Sequence, residues 1–184
     1  MRVFISYRTN AEPDRSICDH LSRELGAKGH QIFVDRHIPV GARWAEAIER
    51  GIEEADYLVL LLSEESSQSE LVLGEVVKAR QVAAQRNGFP KILPVRLAYR
   101  GQLPYPLGGY VDCLQHLFWS GDSDTAVVAE QLLCAVEGQG EPTPSQRWAS
   151  EPAAECPGAG RPSAYAQLQA YVGNQASSGG HPRL

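Results

Sequence analysis

A three-layer α/β fold, one five-stranded parallel sheet with helices on both faces, is predicted by three features of the sequence. Short apolar runs alternate with stretches of helical spacing along residues 1 to 136. One run, Tyr57-Leu58-Val59-Leu60-Leu61-Leu62, is unbroken over six residues, as expected of a central parallel strand covered on both faces. From Glu137 onward Gly, Pro, Ser and Ala dominate and the periodicity vanishes, so the folded domain is expected to span 1–136 and to be followed by a low-complexity linker or tail, 137–184.

The elements follow in order. Val3-Phe4-Ile5-Ser6 reads as a short buried strand, and Ile17, Leu21 and Leu25 form a helical stripe within 14–25. Gly26 and Gly29 end that helix; Gln31-Ile32-Phe33-Val34-Asp35 gives a second strand, and Pro39 and Gly41 mark the next loop. A helix from Trp44 turns Ala47, Ile48, Gly51 and Ile52 inward before the central strand. After it come a polar loop, 63–68, a helix over 69–85, strands at 92–97 and 114–119, and a last helix over 124–136. Within the tail, 163–172 could form a short amphipathic helix that needs a partner surface to persist. The alternation argues right-handed crossovers in a flavodoxin-like arrangement, in which ligands bind beyond the carboxyl ends of the strands. Those ends are Tyr7-Arg8, residues 35–43, residues 63–69 and Trp119-Ser120.

Composition excludes several classes of function. A net charge of -5 and a pI near 5.5 give no electrostatic footprint for nucleic acid or an anionic membrane. Cys18, Cys113, Cys134 and Cys156 form no CxxC pair and lie near no His cluster, which argues against a zinc site or a disulfide framework and fits a reducing cytoplasm. No stretch approaches a membrane span, and the N-terminus does not read as a leader. No phosphate-cradling glycine motif follows a strand, and Ser6-Tyr7-Arg8 stands where a response-regulator receiver would place paired magnesium-binding acids. No metal or cofactor site is expected.

What remains is a carboxylate in a suggestive place. In Ser-Glu-Leu-Val-Leu-Gly-Glu, residues 69–75, Leu71 and Glu75 lie one helical turn apart on one face, just after the central strand. A mid-helix glycine, Gly74, costs about 1 kcal/mol relative to Ala, and either a ligand's approach or packing against another helix would explain it. Ser69 is a natural N-cap for the helix that bears Glu75. Arg8 and Arg36, at strand ends, suit a bidentate pyrophosphate contact or a surface salt bridge.

Taken in order, Val-Phe-Ile-Ser-Tyr-Arg, Phe-Val-Asp-Arg-His-Ile-Pro-Val-Gly-Ala-Arg-Trp, the Leu-Leu-Leu-Ser end of the central strand and Ser-Glu-Leu-Val-Leu-Gly-Glu resemble a bacterial-type Toll/interleukin-1 receptor (TIR) domain. The resemblance covers residues 1 to about 136. It implies one of two functions: cleavage of NAD between nicotinamide and ribose, with NAD as substrate and no cofactor, or scaffolding through TIR-TIR association alone. Another nucleotide-processing activity, cyclisation or base exchange, is a third possibility on the same cleft. In the enzymes a W-x-x-x-E motif carries the catalytic Glu, which falls here on Glu75, with Leu71 at the Trp position. The resemblance further implies that Trp44 and Trp119 lie near the substrate pocket, as stacking residues or half-buried core aromatics, with Tyr7, Arg8, Arg36, Ser63 and Leu71 around it. It also implies that the loop Asp35 to Arg43, through His37, Ile38, Pro39, Val40, Gly41 and Arg43, packs against a second copy. The tail would then tether a sensing domain or partner protein, in a defence or cell-death role.

Overall fold

The computed structural model describes residues 1–34 and 43–138; the loop 35–42, with Arg36 and His37 to Gly41, and the tail from residue 139, with the expected helix 163–172, lie outside the described residues. Five strands, β1 (Arg2–Ser6), β2 (Gln31–Phe33), β3 (Tyr57–Leu62), β4 (Lys91–Leu97) and β5 (Leu117–Trp119), form one parallel sheet in the order β2-β1-β3-β4-β5. This is the flavodoxin-like order, and the predicted fold class is the observed one. The helices are α1 (Asp14–Ala27), α2 (Trp44–Glu54), α3 (Glu64–Ser67), α4 (Glu70–Gln85), α5 (Leu107–Val111) and α6 (Thr125–Val136). None is long and apolar enough to cross a membrane.

Period-two alternation sorts each strand's side chains into two cores. On one face Val3, Ile5, Val59, Leu61 and Leu97 pack with Leu21 and Leu25 of α1 and Leu132 of α6. On the other, Phe4, Leu58, Leu60 and Leu62 pack with Ile48 and Ile52 of α2, Val72 and Val76 of α4 and Leu107 of α5. All six residues of β3 are buried, which is why its sequence shows no polar alternation. Phe4 also stacks on Phe33, its neighbour in register, with ring centroids 5.3 Å apart. Gly51 of α2 makes room for that pair, since a Cβ there would come within 2.9 Å of the Phe33 ring.

The structure differs from the sequence expectation mainly in the short elements. The polar stretch after β3 is not an open loop but α3, closed by a capping box in which the Ser63 side chain accepts from the Ser66 N–H and Ser66 Oγ accepts from the Ser63 N–H. Gly26 lies inside α1, which runs to Ala27, and only Gly29 takes the positive φ, +83°, of the turn that follows. β5 begins at Leu117 rather than at 114, because Leu114 still bonds back to the α5 carbonyl of Val111. Beside it the guanidinium of Arg96 donates to His116 Nδ1 at 2.8 Å, to the Gly101 carbonyl at 2.6 Å and to Asp112 at 3.3 Å. One side chain thus ties β4 to the segment that leads into β5.

A second buried polar group sits where β1 hands over to α1. Asp14 is fully buried, and that burial raises its carboxyl above its ordinary value of 3.8; the hydroxyls of Ser63 and Ser66 and the Arg8 N–H, 3.4 Å from Oδ1, pull it the other way. A raised value means that the folded chain holds this proton over a pH range in which the unfolded chain has lost it. Asp14 therefore disfavours folding increasingly as pH rises from 3.8 through its raised value, and the full cost applies above that range. Asp14→Asn is expected to gain stability over the native protein at neutral pH, with the pH-dependent part of the difference disappearing as pH falls below 3.8. Urea denaturation midpoints across that range check it; a constant difference at every pH would contradict the linkage.

Candidate functional site

A cleft of about 240 Å³ opens between α2 and α4. α2 lines it with Trp44, Ile48 and Glu49, and α4 with Glu70, Leu71, Gly74, Glu75 and Lys78. The spacing on α4 explains the set: positions 71, 74, 75 and 78 recur on one face of a helix. Ser69 starts this helix as its N-cap, accepting from the Val72 N–H, so its hydroxyl turns to the backbone and not to the cleft.

Glu75 is not a solvated surface acid. It is 5% exposed, and Ser6, 1% exposed at the carboxyl end of β1, donates its Oγ hydrogen to Glu75 Oε2 at 2.5 Å. Ser6 shares parity with Phe4, so the strand aims it at the α2/α4 side of the sheet, where α4 brings the carboxylate to meet it. A hydroxyl donor stabilises the ionised carboxylate and fixes its orientation.

Around this carboxylate the cleft is apolar at its rim. Trp44, the first residue of α2, is 44% exposed, and Leu71 is 39% exposed. A Cβ built on Gly74 would meet no described atom within 4 Å, so packing among the described residues does not require a glycine there. Lys78 closes one end, with Nζ 2.6 Å from Glu53 and 3.4 Å from Glu49, and these partners raise its affinity for the proton.

The structure thus brings Glu75, Leu71 and Trp44 together. It does not bring the other sequence candidates to them. Tyr7 has the parity of Val3 and Ile5 and is buried in the opposite core. Trp119 is buried there too, its Nε1 donating to Thr125 Oγ1 at 2.8 Å, so it is a core aromatic and not a wall of this cleft. Ser63 is held in the α3 capping box, and the exposed Arg8 guanidinium donates to the Glu65 carbonyl at 3.3 Å. Arg43 forms a surface ion pair with Glu46 at 2.6 Å. Arg36 and residues 37–41 lie outside the described residues. Sequence reasoning missed Ser6; its signal was a polar residue at an inward-facing strand position, two after Phe4.

Comparison with known proteins gives the arrangement a setting. A family model described as TIR domain matches residues 3–133. Among solved structures, the TIR domains of the activated Roq1 resistosome that directly recognises the pathogen effector XopQ are similar at 25% identity, with a TM-score of 0.46 over 52% of this chain. The match spans 56% of that chain's length. Comparison with curated proteins found no match.

Proposed function

The chain belongs to the TIR domain family, and from that premise we propose that it cleaves NAD between nicotinamide and ribose. The observation that carries this reading is the Glu75 carboxylate, buried at the wall of an open cleft and oriented by Ser6, beside an exposed Trp44.

One carboxylate is enough for this bond. Glycosidases commonly need a second acid to protonate a poor leaving group. Here the C1′–N1 bond breaks with its electron pair going to a nitrogen that is already cationic, so nicotinamide leaves neutral and unprotonated. Positive charge develops on the ribose, and Glu75, placed to accept from its hydroxyls, stabilises that charge through an electrostatic field set before the reaction. Water then adds to C1′ and releases a proton, giving ADP-ribose; attack by the adenine ring instead gives a cyclic product.

Leu71 stands where the resemblance places an aromatic, and Trp44 across the cleft can offer the stacking face in its stead. Leu71→Trp is accordingly expected to lower the KM for NAD several-fold with kcat little changed; an unchanged KM in steady-state assays would show that stacking at position 71 contributes nothing. The proposal includes activity on self-association through the loop 35–43, which would keep a NAD-depleting enzyme silent until copies cluster, and a defence or cell-death role with the tail as tether.

The exposed apolar pair Trp44 and Leu71 supports a second reading, a TIR scaffold that docks a partner domain at this rim. One assay separates the two. Concentrated full-length protein is incubated with NAD and the products are resolved by chromatography, with Glu75→Gln alongside. Release of nicotinamide that the variant lacks supports the enzyme, and release that the variant retains removes Glu75 from the chemistry.

A further inference from the structure

We propose that the protein binds a small amphiphile with an anionic head, a medium-chain fatty carboxylate, in a second cavity on the opposite side of α4 from the Glu75 cleft. Arg80, Ala83 and Ala84 recur at helical spacing on α4, about half a turn round the helix from Leu71, Gly74, Glu75 and Lys78. With Ile92 and Leu93 of β4 and with Leu114 they line a cavity of about 580 Å³. Pockets that take small molecules run roughly 300–1,000 Å³, so the space is ample for such a ligand.

The cavity exists because the sheet is incomplete beside it. β4 begins at Lys91, but β5 first pairs with it at Val95, so Ile92 and Leu93 have no strand on that side and stay partly exposed. Alternate residues of a parallel strand turn their N–H groups to the same neighbour. Ala98 donates its N–H to the Trp119 carbonyl of β5, so Ile92 and position 94 face that same open side. Position 94 is Pro94, which has no N–H to give, so an added strand would lose a ladder bond here. The gap suits a compact ligand better than a further strand.

Charge and polarity then select the ligand. Arg80 and Lys91 both line the cavity, and neither has an ion-pair partner among the described residues. Lys91 Nζ stands 5.4 Å from the centre of the Phe89 ring, a contact that leaves its charge unneutralised. No carboxylate is among the described lining residues, and the floor between the two cations is aliphatic. In a chain of net charge -5 this is a local reversal of sign. A carboxylate head beside Arg80 and Lys91, with its hydrocarbon over Ile92, Leu93 and Leu114, satisfies both features. Acetate would leave the floor wet, and a neutral alkyl chain would forgo the cations. Two cations against that net charge do not suit an anionic bilayer, so the ligand is the free acid and not a membrane lipid.

The test titrates octanoate, hexanoate and n-octanol separately into the full-length protein, below the concentration at which octanoate forms micelles, and follows amide NMR signals. Octanoate is expected to saturate a site that moves the amides of Ala83, Ala84, Ile92 and Leu114. It should bind at least ten-fold more tightly than n-octanol, and more tightly than hexanoate by up to about four-fold per added methylene. Arg80→Gln combined with Lys91→Gln, both at exposed positions, is expected to erase the preference for octanoate over n-octanol while the thermal melt stays that of the native protein. Equal affinity for octanoate and n-octanol overturns the proposal, as does a preference that survives the double substitution. Shifts centred away from these residues, or no saturable binding of octanoate, overturn it equally. Neither outcome bears on NAD cleavage, which turns on the other face of α4.

Discussion

Glu75→Gln is expected to lower kcat for nicotinamide release by roughly 10³-fold, the scale on which losing one preorganised electrostatic group acts, while the protein remains folded. The replacement keeps the side chain's length and leaves an amide oxygen to accept from Ser6 Oγ, so the contact observed at 2.5 Å retains a partner and the buried pair is not orphaned. What is lost is the charge that faces the developing ribosyl cation. Because that cation exists only near the transition state, the loss falls on kcat and leaves KM largely alone. A thermal melt beside the kinetics makes the result decisive. Wild-type turnover in a folded Glu75→Gln protein would remove Glu75 from the mechanism, and a large fall in Tm would show that it serves the fold instead.

Phe4→Ala is expected to cost about 3–5 kcal/mol of folding stability, the range for deleting a buried aromatic from a core that relaxes only in part. Phe4 is 1% exposed, stacks on Phe33, and meets Leu58 of β3 in register. Its removal would leave a void beneath α2, the helix that presents Trp44, and two positions before Ser6 on the same side of β1. Against a typical total of about 5–15 kcal/mol for a native domain, this one substitution is roughly a fifth or more of the margin. Urea denaturation monitored by circular dichroism measures it; a loss below about 1 kcal/mol would mean that the cavity collapses freely and that this core is not closely packed.

Much of this architecture can be read from the chain because its signals are local. The six buried residues of β3 are consecutive, and the stripe that brings Leu71 and Glu75 to one face of α4 is a matter of one helical turn. Tyr7 and Trp119 could have been assigned to their face by the same parity: Tyr7 follows Val3 and Ile5 by twos, and Trp119 pairs in register with Leu97, which faces α1 and α6. Being near a strand's carboxyl end suggested the cleft for both; alternation, the stronger rule, turns both away from it. Two features had no local signal. The Ser6–Glu75 contact joins residues 69 apart, and nothing in the pattern around either one points to the other. α3 and α5, of four and five residues, are too short to build a period, and α3 is held by the side-chain bonds of one capping box.

The central position of β3 also bears on how the chain is made. β1, β2 and β3 all precede residue 63, so three of the five strands can assemble while the ribosome is still working. Until β4 arrives, however, β3 is an unpaired edge of uninterrupted apolar residues, the kind of edge that recruits other chains. Synthesis of residues 63 through 97 must finish before that edge is covered. At about 5–20 residues per second the exposure lasts roughly 2–7 s. The residues that give the mature protein its firmest core are thus its most aggregation-prone surface at birth, and α3 and α4, synthesised during that interval, add to the cover that α1 and α2 already offer its two faces.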